Sequence, residues 1–322
     1  MRPERSHRAR AGDPAGALRT SVATLGLALS ACGILAPTAY SGEVVAPGGK
    51  PLAGVVVSSP DGSTLTDDAG GWQLATGART LTFRKPGYQV EQLPARSPVV
   101  TLPASSRPLQ VVFDDRWDGL ASTGLQQWLA RQGMQVYDLK AGTNPATADV
   151  MVLLSPAYFT RSQIDPLLSA VRSGQTLLLA GQWGGYAGTD LGTLNTLSAG
   201  TGIQFDGSLV RDRAATDSVD AFVPLILEPA IAPANAPEFF SAGSLGVSSP
   251  AHVLLRSGPR SYRVSAWADA PQDVGAVAPL GAGKIIALSD AACFSDLPEG
   301  SAQQPGWQIG GNAQLALALI GY

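Results

Sequence analysis

The sequence predicts a multidomain fold in which a small all-β sandwich precedes an α/β domain with a doubly wound, mainly parallel sheet. Residues 41–102 contain short apolar runs separated by Gly, Pro and Asp turns, a pattern typical of a sandwich. From residue 109, near-continuous apolar runs alternate with amphipathic segments of helical period, a pattern typical of helices covering a parallel sheet. A chain of 322 residues is long enough for about two domains.

The amino-terminal 31 residues have the composition of an export signal. A basic start is followed by the apolar run Val22–Leu29 and then by small residues. The run Leu29-Ser30-Ala31-Cys32 resembles the lipobox of bacterial lipoproteins. That resemblance implies removal of residues 1–31, lipidation of Cys32 and a short tether over residues 32–40. The alternative is a secretory leader that is cut near Ala36 or Ala39.

Charge and composition restrict the classes of function. The chain carries a net charge of −3; residues 1–31 hold five Arg against Glu4 and Asp13, a net +3, so residues 32–322 carry −6. An acidic surface argues against a nucleic-acid partner. Apart from His7 in the leader, His252 is the one histidine, which excludes most His-based zinc sites. If Cys32 is acylated, Cys293 is unpaired, and we expect it to be buried.

The first domain is predicted at residues 41–102, with strands at 55–57, 72–74 and 80–83. We expect Asp67 to cap its turn rather than bind calcium, and Trp72 to pack inside the sandwich. The motif order resembles the carboxypeptidase regulatory-like domain, a transthyretin-type sandwich that serves as an accessory module without catalysis. The matching segments are Gly42-Glu43-Val44, Pro51-Leu52-Ala53-Gly54-Val55, Thr66-Asp67 with Gly71-Trp72, and Lys85-Pro86-Gly87-Tyr88.

A Pro/Ser linker at 103–108 precedes the second domain, predicted at residues 109–322. Capping boxes predict helices that begin near Thr123 and Thr160, although Pro166 favours an alternative start with Asp165 as N-cap. Residues 209–280 are interpreted as extra strands with long loops. The remaining elements are predicted strands at 109–113, 136–139, 150–154, 176–180 and 284–288, and a closing helix at 312–320.

The second domain resembles the class I glutamine amidotransferase-like superfamily, in its non-catalytic branch, and this implies a flavodoxin-like sheet. The supporting segments include Val111-Val112-Phe113-Asp114, Leu153-Leu154-Ser155-Pro156, Gly283-Lys284 with Ser289-Asp290, and Asn312 before Leu315-Ala316-Leu317. The catalytic branch carries a cysteine on a Gly-x-Cys-x-Gly turn and a distant histidine. Here Trp183 stands at the cysteine's position within Gly181–Gly185, and no histidine follows the last strand. We therefore expect no catalytic residue.

Polar residues at the carboxyl ends of the predicted strands are the candidate ligand-binding residues, because open α/β sheets bind ligands at that edge. They are Asp114, Asp115, Gln182, Trp183 and Asp290. Asp114, Asp115 and Asp290 would hold Mg²⁺ or Ca²⁺, or act as an acid/base pair, if they converged, but capping of the next helix is favoured. No metal and no cofactor are expected.

The sequence therefore predicts a lipid-anchored protein on the extracytoplasmic side of a bacterial membrane. Its expected role is non-catalytic binding or scaffolding of an envelope protein or glycan. The alternative is a hydrolase of envelope glycan or peptide that uses the Asp cluster.

Overall fold

The computed structural model describes residues 38–322, apart from 60–61, 86, 115–119, 140–147, 185, 187, 216–219 and 302. These residues belong to one compact unit, Pro37–Tyr322. The signal segment and Cys32 lie outside the described residues. None of the helices in the described part is long and apolar enough to cross a membrane.

The predicted fold class is wrong, because the described chain is mostly β and its sheets are mixed. It has four short α-helices against 23 strands. Residues 203–280 supply strands that join the main sheet in antiparallel fashion, where a doubly wound fold would have helical crossovers. The error arises because pairing direction depends on non-local contacts that hydrophobic periodicity does not report.

The segment before residue 102 forms two small sheets around a shared core. One sheet has the order β4-β1-β7 and the other the order β3-β2-β5-β6. The core contains Val55, Val57 and Trp72, and the ring centroids of Trp72 and Phe83 lie 5.6 Å apart in an edge-to-face arrangement. The strands are β1 (Thr38–Val45), β2 (Val56–Ser59), β3 (Gly62–Leu65), β4 (Gly71–Thr76), β5 (Thr80–Arg84), β6 (Glu91–Pro94) and β7 (Val99–Thr101).

The Thr66-Asp67 motif organises the turn before β4. Asp67 Oδ1 accepts hydrogen bonds from the backbone N–H groups of Ala69 at 2.9 Å and Gly71 at 2.8 Å, so the predicted turn capping is confirmed. The buried Thr66 hydroxyl donates to the Leu52 carbonyl at 2.5 Å and accepts from the Val55 N–H at 2.9 Å. The hydroxyl therefore adds two hydrogen bonds to the segment 52–55, which the Thr66 backbone already contacts at Gly54 and Val55.

Replacing Thr66 by valine should lower the free energy of unfolding by about 2 kcal/mol, because two buried backbone groups lose their partner while the side-chain shape is kept. Urea denaturation measures the effect. The exposed strand residue Thr101, changed to valine, is the matched control and should move stability by less than about 0.5 kcal/mol. Equal effects of the two changes would contradict this role for the Thr66 hydroxyl.

The main sheet has ten strands. Along its path β12-β17-β20-β21-β11-β10-β8-β9, the five strands from β21 to β9 pair in parallel and the others antiparallel. Off this path, β18 pairs with β20 and β15 pairs with β18. The strands are β8 (Gln110–Phe113), β9 (Gln135–Asp138), β10 (Val150–Leu154), β11 (Thr176–Ala180), β12 (Ile203–Asp206), β15 (Leu225–Ile226), β17 (Ser244–Val247), β18 (His252–Arg256), β20 (Asp273–Leu280) and β21 (Gly283–Leu288).

Short ribbons outside the main sheet complete the β structure. Strand β13 pairs with β19, β14 with β16, and β22 with β23, each antiparallel. These strands are β13 (Val210–Asp212), β14 (Ala221–Phe222), β16 (Phe239–Phe240), β19 (Ser261–Arg263), β22 (Pro298–Glu299) and β23 (Gln304–Pro305). Strand β19 ends at Arg263, and Trp267 follows it in a turn with a φ of 56°.

Four α-helices accompany the main sheet. Helix α2 has the predicted capping box at Thr160 and contains Pro166 internally, so the alternative start at Asp165 is wrong. The predicted capping box at Thr123 is wrong, because Thr123 is the first residue of α1 and its N-cap is Ser122, which makes no side-chain cap hydrogen bond. The helices are α1 (Thr123–Arg131), α2 (Arg161–Arg172), α3 (Leu191–Leu197) and α4 (Asn312–Gly321).

Two hydrophobic clusters cover opposite faces of the sheet. One contains α1 and α4 residues such as Leu125 and Leu315, and the other contains α2 and α3 residues such as Leu167 and Leu194. Strand β10 contributes Val152 to the first cluster and Leu153 to the second, because successive side chains of a strand point to opposite faces. Burial on both faces explains the near-continuous apolar runs in the sequence.

Candidate functional site at the carboxyl edge of the parallel strands

Four parallel strands end at one edge of the main sheet, and each is followed by polar residues. Asp114 follows β8, Ser155 follows β10, Gln182 comes shortly after β11, and Asp290 comes shortly after β21. Backbone hydrogen bonds continue the sheet beyond the strand ends, from Ser155 N–H to the Ala180 carbonyl at 2.7 Å and from Gly181 N–H to the Leu288 carbonyl at 2.8 Å. The edge predicted from the sequence therefore exists in the described part of the chain.

Asp290 is the centre of this edge and is fully buried. Its Oδ1 accepts from Gln182 Nε2 at 2.9 Å, from Ala292 N–H at 2.8 Å and from Cys293 N–H at 3.3 Å. Its Oδ2 accepts from the backbone N–H of Phe240 in a very short contact. The carboxyl group thus joins β11, the β14–β16 ribbon and the 3₁₀ turn Ala292–Phe294.

Burial is the main influence on the acidity of this carboxyl group. It raises the pKa of Asp290 to about 8, against the opposing effect of the N–H donors of Phe240, Cys293 and Ala292 and with a further contribution from the charge of Glu299. Glu299 is half-buried, and burial raises its pKa as well. The Tyr186 hydroxyl donates to Glu299 Oε1 at 3.3 Å. Burial, and next the negative charge of Glu299, raise the pKa of Tyr186 to about 12.

Gln182 donates a hydrogen bond to Asp290 and immediately precedes Trp183 in the segment after β11. Its side chain is buried, and its Oε1 has no hydrogen-bond partner among the described residues. The neighbouring Trp183 is half-buried. An indole carries no nucleophilic atom and its N–H only donates, so this turn supplies shape and hydrophobic surface.

Cys293 and His252 do not form a catalytic pair. Cys293 is buried, as the sequence predicted, and its Sγ donates to the Asp290 carbonyl at 3.2 Å. Burial raises the pKa of its thiol well above the usual value, so the thiol stays protonated and unreactive. His252 is exposed on β18, opposite Val277 of β20.

The two predicted aspartates that the structure describes at this edge, Asp114 and Asp290, do not lie together. Asp114 is buried at the end of β8, three strand intervals from Asp290 along the sheet, a separation of about 14 Å at the usual strand spacing. A single ion needs all its oxygen ligands at roughly 2.0–2.6 Å. The described residues contain no group of three or more His, Cys, Asp and Glu side chains suited to a metal, and Asp115 lies outside them.

The structure also brings in residues that the sequence did not indicate. The Phe240 N–H, Tyr186 and Glu299 all lie around Asp290. Phe240 and Tyr186 precede Asp290 by 50 and 104 positions in the sequence. A cavity of about 370 Å³ beside them is lined by Asp220, Phe240 and Glu299. No local motif marks these positions, because only the tertiary fold places them next to Asp290.

Fold and site together define a mostly β protein in which the buried strand-end carboxyl group holds loops together. Residues 112–320 match the family described as Domain of unknown function (DUF4350), and the chain belongs to that family. No curated protein matches the chain.

Several solved structures align with this chain at low sequence identity. The mmIFT52 N-terminal domain is 18% identical, covers 64% of this chain and 93% of its own, and has a TM-score of 0.49. Cytoplasmic protein STM1381 from Salmonella typhimurium LT2 is 13% identical, with 66% and 98% covered and a TM-score of 0.46. The β-galactosidase from Rahnella sp. R3 is 12% identical, with 67% of this chain but 31% of that enzyme covered and a TM-score of 0.39.

Proposed function

We propose that this protein is a lipid-anchored cell-envelope protein whose folded part is a non-catalytic binding or scaffolding module for an envelope protein or glycan. The observation that carries the non-catalytic part is the state of Asp290. Its carboxyl group is fully buried and accepts four hydrogen bonds from the chain itself, so it offers no free oxygen to a substrate. The protonated, buried thiol of Cys293 supports the same view.

The alternative hydrolase requires an acidic pair that acts together on one bond. Glycoside hydrolases place their two carboxyl groups roughly 5–9.5 Å apart. Asp114 and Asp290 are separated by about 14 Å of sheet, which disfavours that reading for the described pair.

Anchoring rests on the Leu29-Ser30-Ala31-Cys32 motif. A lipid chain contributes about 0.8 kcal/mol for each buried methylene, so a diacylglycerol with an added acyl chain holds a protein to a membrane without a second signal. The folded part, with its acidic balance, would then face a partner in the envelope.

Replacing Cys32 by alanine should abolish incorporation of labelled palmitate and move the protein from the membrane fraction to the soluble fraction. The chain offers a matched control, since Cys293 is its other cysteine. Cys293→Ala should keep the label at the wild-type level. Equal labelling of wild type and Cys32→Ala, or no label on either, would disprove the anchor.

Binding is tested by purifying the detergent-solubilised, anchored chain from envelope extracts and identifying what accompanies it. A protein or glycan that is retained by wild type and absent from a mock purification supports the module. Turnover of envelope glycan or peptide by the purified chain, lost in Asp114→Ala or Asp290→Asn, would support the hydrolase instead.

A further inference from the structure

The pair of small sheets before residue 102 has one end at which β1 begins. The first residue of β1, Thr38, pairs with Thr76 at the end of β4. The chain then crosses to the second sheet, where Thr80 at the start of β5 pairs with Pro94 of β6. We call this end of the two sheets the tether end, and it consists of residues 38–41, 76–80 and 94–98.

The opposite end of the two sheets packs against the rest of the chain. Val56 of β2 pairs with Arg84, the last residue of β5, whereas Thr80 at the tether end is the first. Val56 and Arg84 line a cavity together with Ala318 of α4, and Arg84 Nη1 donates to the main-chain oxygen of Tyr322 at 2.8 Å. These contacts hold the two sheets to the main body by the end that lies away from the tether end.

Two arginines are the charged residues of the tether end in the described part of the chain. Arg79 lies in the connection between β4 and β5, Arg96 lies in the connection between β6 and β7, and both are exposed. The N–H of Ala95 donates to the Arg79 carbonyl at 2.8 Å, which holds the two connections side by side. Asp61 lies outside the described residues. Two positive charges thus stand together on a chain whose residues 32–322 carry −6.

Neither Arg79 nor Arg96 forms an ion pair with a described residue. Other arginines do pair with aspartates, at 2.5–2.9 Å; they are Arg107, Arg211, Arg213, Arg256 and Arg263, all in the main body. A free guanidinium presents N–H donors in a planar fork that matches a phosphate group. Arg161 is exposed and unpaired among the described residues as well, so the position of Arg79 and Arg96 is what sets them apart.

The tether end is also the part of the described chain that lies nearest to Cys32 along the sequence. From Cys32 to Thr38 the chain takes 38 − 32 = 6 residue steps. An extended residue spans about 3.6 Å at most, so the tether end stays within about 22 Å of Cys32. A lipid on Cys32 would place that residue at the membrane surface, and the attraction of exposed cations to an anionic surface acts over about 8 Å at physiological salt.

We propose that the tether end is the membrane-facing surface of this protein, where Arg79 and Arg96 bind the phosphate groups of anionic phospholipids. The proposal rests on the proposed lipid anchor and deepens it by naming the surface that meets the membrane. Each arginine near an anionic membrane shifts the equilibrium towards contact by about fivefold. The negative balance of the remaining chain disfavours contact through other surfaces, so the main sheet would be directed away from the membrane.

The acylated full chain in lipid vesicles tests this orientation. One set of vesicles contains roughly one-third phosphatidylglycerol in phosphatidylcholine, and the other contains phosphatidylcholine alone. Amide hydrogen exchange of residues 76–80 and 94–98 should be slower by about fivefold or more on the anionic vesicles. Salt at about 1 M, which shortens the screening length to about 3 Å, should remove the difference.

Three variants assign the effect to the two guanidinium groups. The double variant Arg79→Gln/Arg96→Gln should lose the slower exchange, and Arg79→Lys/Arg96→Lys should keep most of it because the charges remain. Arg161→Gln is the matched control and should behave like wild type. Arg161 begins α2 after the carboxyl end of β10, whereas Tyr88 of the small sheets shares a cavity with Asp149 at the other end of β10. All these positions are exposed or solvent-facing turns, so the melting temperature should stay unchanged.

Equal exchange on both kinds of vesicle, or slower exchange that persists in the double glutamine variant, would overturn the proposal. The same slowing by inorganic phosphate without vesicles would also overturn it, because the site would then bind the free anion rather than the membrane. A chain that carries palmitate but shows no slowing defeats this proposal alone, whereas a chain without palmitate defeats the proposed anchor as well.

Discussion

Replacing Asp290 by alanine should lower the free energy of unfolding by about 4 kcal/mol or more. The change removes the shared acceptor of Gln182 Nε2 and of the backbone N–H groups of Phe240, Ala292 and Cys293. Each buried donor left without a partner costs about 1–3 kcal/mol, and water has little access to the vacated space.

Urea denaturation followed by circular dichroism measures this loss. The matched control is Asp269→Ala, because the Asp269 carboxylate is exposed and pairs with Arg213 at 2.9 Å. An exposed ion pair contributes about 0–1 kcal/mol. If Asp290→Ala cost no more than Asp269→Ala, the carboxyl group would not be holding the loops together, and the argument for a structural role would fail.

The wild type should lose stability as the pH rises, by an amount on the order of a few kcal/mol that is traceable to Asp290. The pKa of Asp290 is raised from 3.8 to about 8 in the folded state, mainly by burial. The folded protein therefore binds a proton more tightly than the unfolded chain, and the free energy of unfolding falls with increasing pH between the two values. The contribution is complete below about pH 4 and is lost as the pH passes about 8.

The comparison with Asp290→Asn isolates this effect from other titrating groups such as Glu299. The asparagine variant keeps the size of the side chain but cannot titrate, so the stability difference between wild type and variant should shrink from pH 4 towards pH 8. Protonated Asp290 needs an acceptor, and a 180° rotation of the Gln182 amide would present its unpartnered Oε1. A stability difference that stays constant over this range, or grows with pH, would refute the raised pKa.

Single elements of this fold could be predicted from local patterns. The strands Val150–Leu154 and Thr176–Ala180 have the predicted bounds, and the capping box at Thr160 is present in α2. Apolar side chains on both faces of a strand, and cap residues at a helix start, are properties of a few adjacent residues. The predicted ranges of the two domains stay predictions.

The direction and order of the strands could not be predicted in the same way. Strand β20 pairs with β21 over six residue pairs in antiparallel fashion, and β17 and β12 follow it outward. A strand of period two has the same sequence pattern whichever way its neighbour runs, so nothing local distinguishes a mixed sheet from a parallel one. The wrong fold class follows from this ambiguity.

The candidate site was predicted only in part, because some of its features are local in the sequence and others are not. Asp114, Gln182 and Asp290 follow their strands as expected, because a strand end is a local feature. Their mutual distances and the burial of Asp290 are not local.

The sequence by itself determined the bounds of single elements such as Val150–Leu154 and Thr176–Ala180, the acidic balance of the chain, and the Cys32 motif on which the proposed anchor rests. Only the tertiary structure decided that the sheet is mixed and that Asp290 is enclosed by donors from three segments. The physical reason is that turn chemistry and hydrophobic period act between neighbours in the chain. Burial, pKa and ligand geometry depend instead on which distant segments come into contact.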